Sequence, residues 1–249
     1  MLGTTLAVGL GPYIGGTLYD TSGSNGCFLA ASIFAGIALI FIYFIDVSSH
    51  DPGVNGLVKK EEKSYSGLKK IFEYNAIPVS FFTALTSLGY VSILSFYRLY
   101  SVEVDLVNVF SWFFIIYSAV LIISRPIAGK IQDLYGDMII CVTGIIAQSV
   151  GLLLIALMPS TLTVVICAVC AALGFGTLNS ACTTIVTRNT PEHRRSYSVS
   201  TFFIFCDVTM GFGPALLGSF VTASYMSVYL ISSVITFLAL PICIYSLRK

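Results

Sequence analysis

Apolar residues run in eight long blocks, at 2–19, 27–46, 76–97, 107–124, 138–158, 161–183, 199–222 and 227–246, and polar residues gather in the gaps. Each block has roughly the 17–25 residues that a helix needs to cross about 30 Å of hydrocarbon. Within the blocks apolar and polar positions do not alternate with period two, and the runs are too long for barrel strands. A helix closes its own backbone hydrogen bonds, so the pattern predicts an all-α membrane protein of eight transmembrane helices.

Composition agrees. Hydrophobic residues make up 56%, charged residues 10%, and the mean hydropathy is +0.90. Soluble domains carry about 25% charged residues. The net charge of +1 gives no basic field for nucleic acid, and none is expected as a partner. Where the cations fall is more informative. Lys59, Lys60, Lys63, Lys69 and Lys70 lie between blocks two and three, and Arg125 and Lys130 between four and five. Arg188, Arg194 and Arg195 lie between six and seven, and Arg248 and Lys249 close the chain. With eight crossings all of these share one side, and of the 13 cations only Arg98 falls opposite. The positive-inside rule makes that side, with both termini, cytoplasmic in a multi-pass cell-membrane protein.

Glycine and proline divide the chain further. Gly9-Leu10-Gly11-Pro12 continues to Gly15-Gly16, and Gly211-Phe212-Gly213-Pro214 continues to Gly218, six blocks later. Glycine lets a neighbouring helix approach closely, and membrane helices tolerate proline bends. Repetition at that interval suggests two six-helix halves. On this reading 1–46 holds the last two helices of the first half and 47–75 is a cytoplasmic linker. Residues 76–249 are then the six-helix second half. The first four helices are expected to be missing. Met1 opens into an apolar block with no Lys or Arg before it, unlike a signal peptide, so an internal start or truncation is expected.

The stretch from Ser124-Arg125-Pro126 to Gly136-Asp137 is read as the loop after the fourth helix. Here the sequence resembles the major facilitator superfamily, whose transporters carry Gly-x-x-x-Asp-(Arg/Lys)-x-Gly-(Arg/Lys)-(Arg/Lys) between the second and third helices of each half. Gly129, Asp133 and Gly136 match; Leu134 and Asp137 depart from the basic positions. Thr190-Pro191-Glu192-His193-Arg194-Arg195, running on to Asp207 and Gly211–Pro214, looks like the junction of helices ten and eleven in bacterial drug-efflux members. The Gly9–Gly16 run resembles the helix-five motif of antiporters. The resemblance implies helices five to twelve of a twelve-helix secondary transporter.

Asp207 stands about nine positions into the seventh block. A carboxylate at that depth costs at least ~2.5 kcal/mol unless protonated, paired or hydrated. It is a candidate for proton coupling, or else for helix packing. Asp133 and Arg125 are gating candidates, with Asp133 placed to meet unpaired N–H groups at a helix start. The resemblance puts Tyr90, Tyr97, Arg98 and Asn179 on cavity-lining helices, where aromatic and amide groups suit an organic substrate. The seven cysteines lie in apolar blocks and read as small buried hydrophobes; His50 and His193 lie in polar stretches. No metal, cofactor or nucleotide loop is expected, and no converging acids or Ser–His pair suggests an enzyme. The function expected is proton-coupled export of a small organic compound. A remnant or scaffold membrane protein is the alternative. The partners expected are the lipid bilayer, that substrate, and the missing helices, on a separate chain if one supplies them.

Overall fold

The computed structural model describes residues 2–44, 72–221 and 224–248, and every regular element among them is helical. Blocks one and two form a single run, α1 (Leu2–Phe44), broken at Gly23, where φ is 64° and ψ −166°. Only a residue without Cβ turns there at little cost. The break folds the limbs together, so that the Cys27 thiol reaches the Gly15 carbonyl at 3.4 Å. A 3₁₀ turn (Tyr74–Ala76) leads into α2 (Ile77–Glu103), followed by α3 (Val107–Tyr135) and α4 (Asp137–Leu157). Next come α5 (Thr161–Ala171), a five-residue π turn (Ala172–Gly176) and α6 (Thr177–Arg188). A second 3₁₀ turn (Glu192–Arg194), α7 (Arg195–Gly218) and α8 (Met226–Leu247) complete the chain.

Seven helices among the described residues are long and apolar enough to cross a membrane. They are the second limb of α1, then α2, α3, α4, the α5–α6 unit, α7 and α8. The first limb, diluted by Gly, Thr, Tyr and Pro, is helical but is not among them. Most of the 47–75 linker, with its five lysines and His50, lies outside the described residues.

The loop expected at 124–137 is not a loop. α3 runs unbroken through Pro126 to Tyr135, and only Gly136 separates it from α4. Hydropathy stops at Ser124 because Arg125, Lys130 and Asp133 are polar, but a helix leaving the apolar layer needs no apolar side chains. Ala128, Lys130, Gln132 and Leu134 are good helix formers. Gly136 then turns at φ 88°, its N–H donating to the Gln132 carbonyl at 3.0 Å, a conformation that favours glycine. Ser160 starts α5 with a capping box: its hydroxyl accepts from the Thr163 N–H, and its own N–H donates to the Thr163 hydroxyl.

In the bundle α2 packs against α7 and α8, α4 against α5 and α8, and α1 rests on α3. Two seams hold α4. On one side the Ser149 and Ser233 hydroxyls donate to each other's carbonyls, at 2.9 and 2.8 Å. On the other, Gly151 lies so near α5 that a Cβ there would stand 2.7 Å from Cys170 Cβ. Small residues let helix backbones close in where lipid supplies no hydrophobic drive between helices. The Tyr100 hydroxyl donates to the Ile155 carbonyl at 2.8 Å and ties the end of α2 to α4. On α2 the hydroxyls of Ser80, Thr83, Thr86 and Ser87 are all buried and donate back to carbonyls four residues earlier. These four side chains thus enter the core with their donors satisfied.

Candidate transport and gating residues

Tyr90 and Tyr97 stand seven residues apart on α2, hence on one face. Tyr90 is 3% exposed and stacks on Phe175 and Tyr117, with ring centroids 4.6 and 5.6 Å away. Tyr97, half-buried, meets Phe114 edge-on at 5.0 Å. Phe175 belongs to the π turn, and Asn179, also half-buried, follows it by one turn. The structure therefore brings Tyr90, Tyr97 and the Asn179 face together, with Tyr90 in an aromatic core rather than on an open cavity. Arg98 lies apart, facing α1, with its guanidinium 6.0 Å from the Tyr19 ring centre.

Beside this cluster sits a residue that the apolar pattern passes over. Gln148 is 1% exposed on α4, and both its amide atoms are buried without a hydrogen-bond partner among the described residues. It packs between two glycines. A Cβ on Gly89 would lie 3.4 Å from its Nε2, and one on Gly174 would lie 3.0 Å from its Oε1. A polar residue in the middle of block 138–158 is the sequence signal. A buried amide without partners costs about 1–3 kcal/mol. Gln148→Met, nearly equal in volume, is therefore expected to raise stability by about that amount, read as a higher unfolding midpoint in detergent. A lower midpoint would show that the amide is satisfied in solution.

The two glycine-proline runs differ in their surroundings. On α7 a Cβ at Gly213 would meet Val91 Cγ1 at 2.9 Å and Leu88 Cδ2 at 3.3 Å, so α2 approaches closely there. Gly218 faces Phe96 at an ordinary 3.7 Å, and Gly211 faces nothing within 4 Å. Pro214 is inside α7 without ending it. On α1, Gly11, Gly15 and Gly16 likewise have nothing within 4 Å of a Cβ. The surroundings of Gly9 and Pro12 lie outside the described residues.

Asp207 lies on α7, the least buried of the spans α2 to α8, and is exposed, with Phe203, Ile204 and Val208 exposed around it. It stands midway along α7 (Arg195–Gly218). Asp133 is also exposed, near the end of α3 rather than in a loop. Gly129 has open space around it.

Other polar groups tie the Gly136 end of the bundle. Asp137, in the first turn of α4, accepts from Arg188 in the last turn of α6. Each charge sits at the helix end whose dipole it complements. Gln132 Nε2 adds a bond to Asp137 Oδ1 at 2.8 Å. Asp137, the departure from the basic motif position, thus joins α4 to the last turn of α6 and to Gln132 of α3. A deeper pair joins Arg194, in the Pro191–Arg195 turn, to Glu73 ahead of α2. Arg194 Nε donates to Glu73 Oε2 at 2.5 Å, and the two residues are 7% and 8% exposed. Arg194 also donates to the Phe72 carbonyl at 3.2 Å, and the Glu73 N–H donates to the Thr201 hydroxyl at 3.0 Å. The start of α7 is thereby fixed to the start of α2.

Two cavities flank α3. The larger, about 430 Å³, is an apolar groove between α3 and α4, floored by Leu173 and Thr177. The smaller, about 90 Å³, lies between α3 and α6 and holds Arg125, Gln132, Ser180 and Thr184. Among the described residues no group of three or more His, Cys, Asp or Glu is arranged to hold a metal.

Comparison with known proteins bears on this bundle. A Methanocaldococcus jannaschii protein described as an uncharacterized MFS-type transporter is 23% identical over 228 residues, 86% of this chain. The chain spans 56% of that relative's length. No solved structure matches it. The pattern of the Major Facilitator Superfamily matches residues 106–249, from the start of α3 to the last residue. With that match over more than half its length, this multi-pass membrane chain belongs to the Major Facilitator Superfamily.

Proposed function

We propose that the chain works in transmembrane transport as the larger part of a secondary transporter, exporting a small organic compound from the cell in exchange for protons. Residues 76–249 are read as one rocking half and α1 as part of the other, which the longer relative would complete. The cation-rich side with both termini is assigned to the cytoplasm. The observation that carries the reading is Asp207: an acid midway along a span, exposed on the six-helix unit among apolar neighbours. Facing hydrocarbon it would cost at least ~2.5 kcal/mol, so it belongs at a polar interface with the complementary helices. A carboxylate there, where two halves move against each other, is placed to take up and release a proton as access alternates.

The test is flux in proteoliposomes of the complete transporter, with an imposed pH gradient and a pH-sensitive dye inside. Asp207→Asn is expected to abolish proton-coupled flux while folding yield and substrate binding persist. Full coupled flux in that variant would remove the proton-carrier role and leave Asp207 as a packing residue.

A further inference from the structure

Midway along the span Thr161–Arg188 stands the π turn Ala172–Gly176, and within it Gly174 leaves the helical region at ψ −106°. Irregular backbone at membrane depth is tolerated where protein buries it, and π turns gather at functional sites. Gly174 is buried against α4. The point where it would carry a Cβ lies 2.9 Å from the Gly144 carbonyl oxygen and 3.0 Å from Gln148 Oε1. From the other side, a Cβ on Gly144 would lie 3.6 Å from both the Leu173 and the Gly174 carbonyl oxygens. Two glycines thus bring four oxygens of α4 and the turn together. The Leu173 carbonyl accepts from the Thr177 hydroxyl, and a carbonyl has a second lone pair for another partner. No described residue donates to Gln148 Oε1, which is buried. Oxygens that face one another repel unless a donor or a cation stands between them.

We infer that these oxygens form a binding site for a sodium ion. The ion relieves their mutual repulsion and offsets the cost of the Gln148 amide. Where membrane helices are interrupted, freed backbone carbonyls coordinate sodium and replace its water shell. The charge of the ion follows from the ligands, since a divalent ion calls for carboxylates. The α5–α6 unit carries no Asp or Glu, and α4 carries only Asp137, which Arg188 and Gln132 engage. Its size follows from the glycine contact, which closes the turn onto α4 and favours sodium over the larger potassium. Leu173 and Thr177, on either side of Gly174, also line the groove between α3 and α4. Leu173 is 43% exposed, so the ion has an approach from that side. This assignment is independent of the transport reading.

The experiment is thermal unfolding of the full chain in neutral detergent, with choline chloride exchanged for sodium or potassium chloride at a constant total of about 0.15 M. Chloride and ionic strength then stay fixed. Sodium is expected to raise the unfolding midpoint by about 4 °C, and potassium by less than half of that. Gln148→Met keeps its higher midpoint in choline chloride, and sodium should add nothing to it. Gln148→Glu leaves an oxygen in place and should keep the gain. So should Tyr229→Phe, which removes a buried hydroxyl from α8. Retention of radioactive sodium by the unaltered chain, lost in Gln148→Met, gives the same reading without unfolding. An equal rise in sodium and potassium would overturn the site, as would no rise at all or a full sodium gain in Gln148→Met. A midpoint for Gln148→Met below that of the unaltered chain in choline chloride would mean that the chain itself pairs the amide, and would overturn it too.

Discussion

Arg194→Met is expected to destabilise the protein by about 3–5 kcal/mol, because it strands the Glu73 carboxylate in a site closed to water. Glu73 is 8% exposed, and its Oε2 accepts from the Arg194 Nε that the variant lacks. Removing one member of a buried pair leaves the other's desolvation uncompensated. Removing both is far less harmful: the double variant Glu73→Leu with Arg194→Met should recover most of the loss. Unfolding midpoints of the two single variants and the double variant in detergent check this. A double variant as unstable as the singles would mean that the Phe72 carbonyl and Thr201 contacts, rather than the ion pair, carry the junction.

Gly151→Leu should be nearly as costly, at about 3 kcal/mol. The new Cβ would fall 2.7 Å from Cys170 Cβ and 3.4 Å from Cys167 Cα. A Cβ and a backbone carbon cannot swing aside as the tip of a long side chain can, so α4 and α5 must separate. That also strains the α4–α8 seam at Ser149 and Ser233. Gly211→Leu is the matched control on α7, where nothing lies within 4 Å. It should be neutral or gain up to about 1 kcal/mol from helix propensity. Equal losses at the two glycines would indicate a general penalty for leucine rather than a contact at Gly151.

These two sites also show what the sequence makes legible. Helix existence is plain, because a run such as Asp137–Leu157 is too long and too apolar to be satisfied otherwise. The end of α3 is not, because hydropathy registers the exit of a helix from lipid and not its termination. Gly144 and Gly151 are spaced to share a face of α4, but nothing local says which neighbour that face meets. Asp207 has a readable depth and an unreadable azimuth: its angle about α7 depends on how α2 and α8 seat the helix. Glu73 and Arg194 are 121 positions apart, and their meeting follows from the packing of α2 with α7. Gln148 stands in the sequence as a polar residue inside an apolar block. Only the flanking glycines, from α2 and the π turn, show that its amide is enclosed.

The unbroken course of α3 has a mechanical consequence. At 1.5 Å per residue its 29 residues form a rod of about 43 Å, longer than the hydrocarbon layer is thick. The motif segment from Arg125 to Tyr135 is then the protruding handle of that rod and not a flexible strap. At one end the rod turns at Gly136, with Gln132 bonded to Asp137 and Asp137 to Arg188, and Phe113 and Phe114 stand near the other. One stiff element thus spans from the Asp137–Arg188 tie at its end to Phe114, which meets Tyr97 edge-on near its start.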